Sequence, residues 1–176
     1  RSELDRLADI DGDVVVNPDG VFAASYKGKV GAFNPDSGAP VWDHSLVSYG
    51  GLARAGNALF VTDVNGTVWA LDSATGAVLW KQEALGYRWL SSPAVQGGYA
   101  VVGDLQGYLH WLKPDTGAIV ARERIGGHKD PIRATPQVSA DGILVAVTTG
   151  RVRAAGIRIR NAIARVFDGR YASALR

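Results

Sequence analysis

Along residues 1–150 the apolar positions come in short runs, each closed by Gly, Pro or an Asp-Gly or Gly-Asn pair, and none carries a helical period. Gly or Pro interrupts every ten residues or so, which rules against helices and predicts short strands joined by tight turns. One stretch shows the unit. Pro93–Gln96 is a first strand, Gly97-Gly98 supplies the φ > 0 angles of a hairpin turn, and Tyr99–Asp104 is the second strand. Gln106-Gly107 turns again, Tyr108–Lys113 is the third strand, Pro114-Asp115-Thr116-Gly117 is a turn, and Ile119–Arg124 is the fourth.

The unit repeats. Gly28-Lys29-Val30-Gly31-Ala32-Phe33-Asn34-Pro35-Asp36-Ser37-Gly38 aligns with residues 66–76 and 107–117, starting 38 and then 41 residues later, and Thr149-Gly150 opens a fourth copy. Four antiparallel strands in about 40 residues make one propeller blade. A blade cannot bury both faces alone, so its middle strands should be apolar on both sides. Leu59-Phe60-Val61, Ala100-Val101-Val102, Val68-Trp69-Ala70-Leu71 and Leu109-His110-Trp111-Leu112 fit that demand. The expected fold is an all-β propeller of about four blades, near residues 10–48, 49–86, 87–126 and 127–150, followed by a tail over 151–176.

Charge sharpens that division. The net charge of +2 conceals seven Arg against one acid, Asp168, in residues 151–176, so residues 1–150 carry −4. A nucleic-acid partner would have only the tail to bind, and none is expected. As a helix the tail would gather Ile159, Ile163, Val166 and Phe167 on one face, with Arg170 intruding, a pattern that suits either an anionic membrane surface or a segment unrelated to the propeller. No Cys is present, which removes disulfides, thiolate metal sites and any lipid-anchoring cysteine from this sequence; the chain also opens on Arg1 and has no Met, as a processed chain or a fragment would.

Candidate chemistry is sparse. Asp9, Asp11 and Asp13 around Gly12 lack the Gly and Glu positions of an EF-hand loop. His44, His110 and His128 lie in different units with no metal-ligand spacing, so they are expected to be packed or surface residues, with no metal and no cofactor. Trp42-Asp43 matches the dipeptide of WD40 repeats without that family's Gly-His signature. Leu85, Tyr87, Trp89 and Leu90 form either an apolar contact loop or a buried connection between blades, and the residues do not separate the two.

The segments Ala32–Trp42 and Ala70–Trp80 resemble the AxDxxTGxxxW repeat of quinoprotein (PQQ-like) propellers, with Gly38, Trp42, Gly76, Trp80 and Gly117 as structural repeat positions. The acid or amide and the Ser/Thr cap the turn, Gly bends it and Trp packs between blades. The third copy departs, with Lys113 for the acid and Ala121 for the Trp. Glu3–Asp11, Val14–Asn17 and Val101–Trp111 further resemble the BamB family, the propeller lipoproteins of the outer-membrane β-barrel assembly machinery, over about residues 1–150.

That resemblance implies the second half of an eight-bladed ring and a non-catalytic scaffold at the periplasmic face of the outer membrane, lipid-anchored in the full-length family. It implies binding to the POTRA domains of the barrel subunit BamA and help with β-barrel insertion. Exposed strand edges or apolar loop residues offer unfolded outer-membrane proteins, as further partners, a place to bind by β-augmentation. The family's acidic pair falls on Asp9 and Asp11, which by themselves read as a solvated turn. The alternatives are a fragment of a PQQ-dependent dehydrogenase using quinone and calcium, or a generic propeller protein-binding module. Four blades alone would also leave two open apolar faces, which pairing of two half-propellers would cover.

Overall fold

The computed structural model describes residues 12–25, 28–125, 130–142, 144–148 and 151–157. The fold is a partial β-propeller: successive antiparallel sheets stacked face to face, with no helix among the described residues. The first blade is β1 (Val15–Asn17), β2 (Gly20–Ser25), β3 (Lys29–Phe33) and β4 (Pro40–Ser45), paired in chain order. The second is β5 (Leu52–Ala55), β6 (Ala58–Thr62), β7 (Val68–Asp72) and β8 (Val78–Gln82). The third is β9 (Ala94–Gln96), β10 (Tyr99–Gly103), β11 (Tyr108–Leu112) and β12 (Ile119–Arg124).

The fourth sheet has three strands, β13 (Gln137–Val138), β14 (Leu144–Thr148) and β15 (Arg151–Ile157). Residues 151–157, which composition groups with the Arg-rich tail, pair antiparallel with β14, with Val152 opposite Val147 and Arg151 opposite Thr148. The fourth sheet therefore continues past residue 150. Residues 158–176, where the amphipathic helical pattern falls, lie outside the described residues, as does His128.

Successive side chains on a strand point to opposite faces, and in a stacked blade both faces meet a neighbour. In β6, Leu59 and Val61 enter the apolar cluster shared with the first blade, while Ala58 and Phe60 enter the cluster shared with the third. In β10, Ala100 and Val102 face the second blade and Val101 faces the fourth sheet. This two-sided burial is why the middle strands read as continuous apolar runs. Each fully buried Leu, Val or Phe contributes roughly 1.5–3 kcal/mol to holding one blade on the next. The fourth strands lie at the sheet edge and leave Val41, Val78 and Leu79 exposed. The pairing of third and fourth strands shifts register at the same place in three blades, at Ala32/Phe33, Ala70/Leu71 and Trp111/Leu112, one or two residues before the turn that joins them.

Candidate functional site

The repeat residues join blade to blade. Asn34 Oδ1 accepts from the Asp36 and Ser37 amides at 3.0 and 2.9 Å, and Asp72 Oδ1 does the same for Ala74 and Thr75 at 3.1 and 2.9 Å. Gly38, Gly76 and Gly117 close these turns in the left-handed region, with φ of 68°, 73° and 69°. Trp42 donates from Nε1 to the Ser73 carbonyl at 2.9 Å, and Trp80 to the Pro114 carbonyl at 2.8 Å, so each indole lies on the turn of the following blade. A Cβ on Gly76 would fall 2.5 Å from Trp42, and one on Gly117 would enter Trp80. The third blade, with Ala121 at the Trp place, joins differently. Ile132 sits against Gly103, where a Cβ would collide with it, and Gln96 bridges Trp111 Nε1 at 2.8 Å to the Gly142 carbonyl at 2.7 Å.

A second repeated device shapes one rim, where the connections between blades meet the turns between second and third strands. Asp63 stands three residues before Gly66 and Asp104 three before Gly107. In each, Oδ1 accepts two backbone amides of its own turn (Asn65 and Thr67 at 2.9 and 2.8 Å; Gln106 and Tyr108 both at 2.9 Å). Oδ2 takes a ring N–H from the residue six positions on, Trp69 at 2.9 Å or His110 at 2.9 Å. Sequence reasoning missed these acids; the signal was an Asp at that offset from Gly with a ring donor at the sixth position.

Asp104 and His110 are both fully buried. Burial opposes the Asp104 charge, yet hydrogen bonds from His110, the Tyr108 amide and Arg88 outweigh it and hold the carboxyl below its ordinary value. Burial pushes His110 below its ordinary value despite the neighbouring carboxylate. Its Nδ1 is buried with no partner among the described residues, so a neutral ring with Nε2–H directed at Asp104 fits the site better than a cation, which would bury a second, unanswered N–H. His44 packs edge-on to Trp69 with ring centres 5.8 Å apart. Among the described residues no group of three or more His, Cys, Asp or Glu is placed to hold a metal ion.

Arg88 ties the rim to this buried acid. Its Nη1 donates to Asp104 Oδ2 at 3.0 Å and to Gln106 Oε1 at 2.6 Å, while its carbonyl accepts from the Leu105 amide at 2.9 Å. On either side of it, Tyr87 and Trp89 adopt left-handed backbone, φ 60° and 50°, and stand 93% and 73% exposed. Leu85 is buried and Leu90 half-buried, so the Leu85–Leu90 loop divides between connection and surface. Left-handed backbone on bulky residues persists only where the surroundings impose it. Here the Arg88 contacts and a bond from the Tyr87 amide to the Asn65 carbonyl at 3.1 Å do so.

Beneath the loop, hydroxyls latch the connections: buried Ser48 to the Thr62 carbonyl at 2.8 Å, buried Thr62 to the Ser91 carbonyl at 3.1 Å, and half-buried Ser92 accepting from the Gly51 amide at 2.7 Å. The result is an open cleft of about 580 Å³, walled by Tyr49, Val64, Trp89 and Leu90, with Asp63 and Arg133 at its border. Asp9 and Asp11 lie outside the described residues. The chain is described from Gly12, which packs against Gly50 of the same cleft, where a Cβ would lie 2.5 Å from the Gly50 carbonyl oxygen.

Comparison with known proteins places this arrangement. The sequence profile of the family described as outer membrane protein assembly factor BamB matches residues 1–82 and 70–163. The chain is 43% identical over 149 residues to the BamB of Xanthomonas campestris pv. campestris, covering 85% of this chain and 36% of that protein. It overlays the crystal structure of BamB from Moraxella catarrhalis with a TM-score of 0.73 at 30% identity, covering 79% of this chain and 41% of that one. A quinohemoprotein alcohol dehydrogenase from Comamonas testosteroni overlays at a TM-score of 0.66 but 16% identity, a likeness of fold alone. The chain spans about two fifths of the length of the curated relatives it matches. With a profile match running from residue 1 to 163, the chain belongs to the family of the outer membrane protein assembly factor BamB.

Proposed function

We propose that this chain is a non-catalytic scaffold in outer-membrane protein assembly, working on the periplasmic side of that membrane. The observation that carries the reading is the family match across nearly the whole chain. The physical design agrees with it: stacked blades hold loops rigidly at one rim, and binding residues are carried on such loops. In this reading Asp9 and Asp11 meet basic side chains on the POTRA domains of the barrel subunit BamA through charge-assisted hydrogen bonds, and the complex assists β-barrel insertion.

Calorimetric titration of the folded chain with POTRA domains tests it. Micromolar binding is expected, and Asp9→Ala with Asp11→Ala should weaken it about tenfold or more, on the order of 1.4 kcal/mol. Absence of binding by a folded chain would refute the scaffold reading for this segment. Binding that the double variant leaves intact would move the contact off the acidic pair.

A further inference from the structure

We propose that the rim cleft between the second and third blades docks an extended segment of a partner polypeptide that carries an aromatic or aliphatic side chain beside a carboxylate. This goes beyond the POTRA contact assigned to Asp9 and Asp11 and does not depend on it.

Three observations carry the proposal. The walls are mostly apolar and aromatic, and Trp89 and Tyr87 are held out into solvent by left-handed backbone that the Arg88–Asp104 contact imposes. Aromatic side chains fixed before binding give up little freedom on complex formation. The charges are unequal in availability. Asp63 has both oxygens engaged, by the Asn65 and Thr67 amides and by Trp69 Nε1, so it is committed to the fold. Arg133 borders the same cleft, is exposed, and has no hydrogen-bond or ion-pair partner among the described residues. An apolar cleft with one available cation complements an apolar side chain next to a carboxylate. The volume, about 580 Å³, falls within the roughly 300–1,000 Å³ of sites that enclose a compact ligand. That is room for a few side chains of a protruding segment, whereas a flat folded surface would leave the cleft empty.

Calorimetry of the folded chain with two blocked tripeptides, acetyl-Phe-Glu-Phe-amide and acetyl-Phe-Gln-Phe-amide, tests this. The acidic peptide should bind about three- to fivefold more tightly, as expected of a solvent-exposed ion pair. Arg133→Gln should abolish that preference while leaving the affinity for the Gln peptide unchanged, and Arg133→Lys should keep part of it. Trp89→Ala should weaken both peptides about tenfold. The Asp9→Ala/Asp11→Ala variant should bind both as the parent does, which separates failure here from failure of the POTRA contact. Equal affinity for the two peptides, a preference that survives Arg133→Gln, loss of binding in the Asp9/Asp11 variant, or no binding by the folded chain would each overturn the assignment.

Discussion

Two glycines of the third blade provide an internal control for how neighbouring blades are joined. Gly98 and Gly117 are both left-handed, with φ of 86° and 69°. Alanine at either position costs about 1–2 kcal/mol for that backbone alone. At Gly98 a Cβ meets nothing within 4 Å, whereas at Gly117 it enters the Trp80 ring. Trp80 has little freedom to withdraw, because its Nε1 is bonded to the Pro114 carbonyl and its ring packs 5.8 Å from Phe60. Overpacking of this kind adds about 1–3 kcal/mol. Gly98→Ala should therefore destabilise by about 1–2 kcal/mol and Gly117→Ala by about 2–5 kcal/mol. Each kcal/mol should lower the melting temperature by roughly 2–4 °C for a chain of this size. Urea unfolding followed by circular dichroism measures both. In a Trp80→Leu background the penalty of Gly117→Ala should shrink to that of Gly98→Ala, since the obstructing ring is gone. Equal losses for the two single variants, or a penalty unchanged by Trp80→Leu, would refute the reasoning.

Four further outcomes are expected. Because the buried His110 ring resists the proton that an unfolded histidine takes near pH 6.5, stability should fall as pH drops below that value, and His110→Gln should flatten the slope in melts between pH 7.5 and 5.5. The Asp104 carboxyl, held below 3.8, contributes stability that is present above about pH 4 and lost only on further acidification. Asp63→Ala strips the acceptor from two backbone amides and Trp69 Nε1 and should cost about 2–3 kcal/mol in urea unfolding, with Asp63→Asn recovering part of the loss. Arg88→Met should accelerate amide hydrogen exchange in residues 87–90 while leaving the β6 core protected, at a stability cost of about 1–3 kcal/mol.

The architecture was legible because its physics is local. The third blade's strands fall within a residue or so of where Gly97-Gly98, Gln106-Gly107 and Pro114–Gly117 predict them, since each turn has few ways to close. Buried middle strands announce themselves as two-sided apolar runs. The rim was less legible. Arg88 is brought to Asp104 by the approach of one blade's connection to the next blade's turn, which no local pattern encodes. Asp63 and Asp104 do carry a local offset, but it becomes recognisable only once Oδ2 is seen to reach a ring N–H six residues on. Tyr87 and Trp89 could not be told from Leu85 by hydrophobicity, because a connecting segment directs some apolar side chains inward and others outward. Composition likewise hid β15, whose Arg and Val residues read as tail until paired with β14.

The missing indole in the third blade makes the junctions unequal. The first two seams are riveted at their fourth-strand edge, by Trp42 on the Ser73 carbonyl and Trp80 on that of Pro114. The third seam has Ala121 there and is tied instead from the first-strand edge, through Gln96, with Ile132 wedged beside it. The first two blades are thus fastened to their successors at the outer edge by an indole, whereas the fourth sheet is held on the third blade by the Gln96 bridge and by the apolar cluster of Val101, Trp111, Ala121, Ile132 and Leu144.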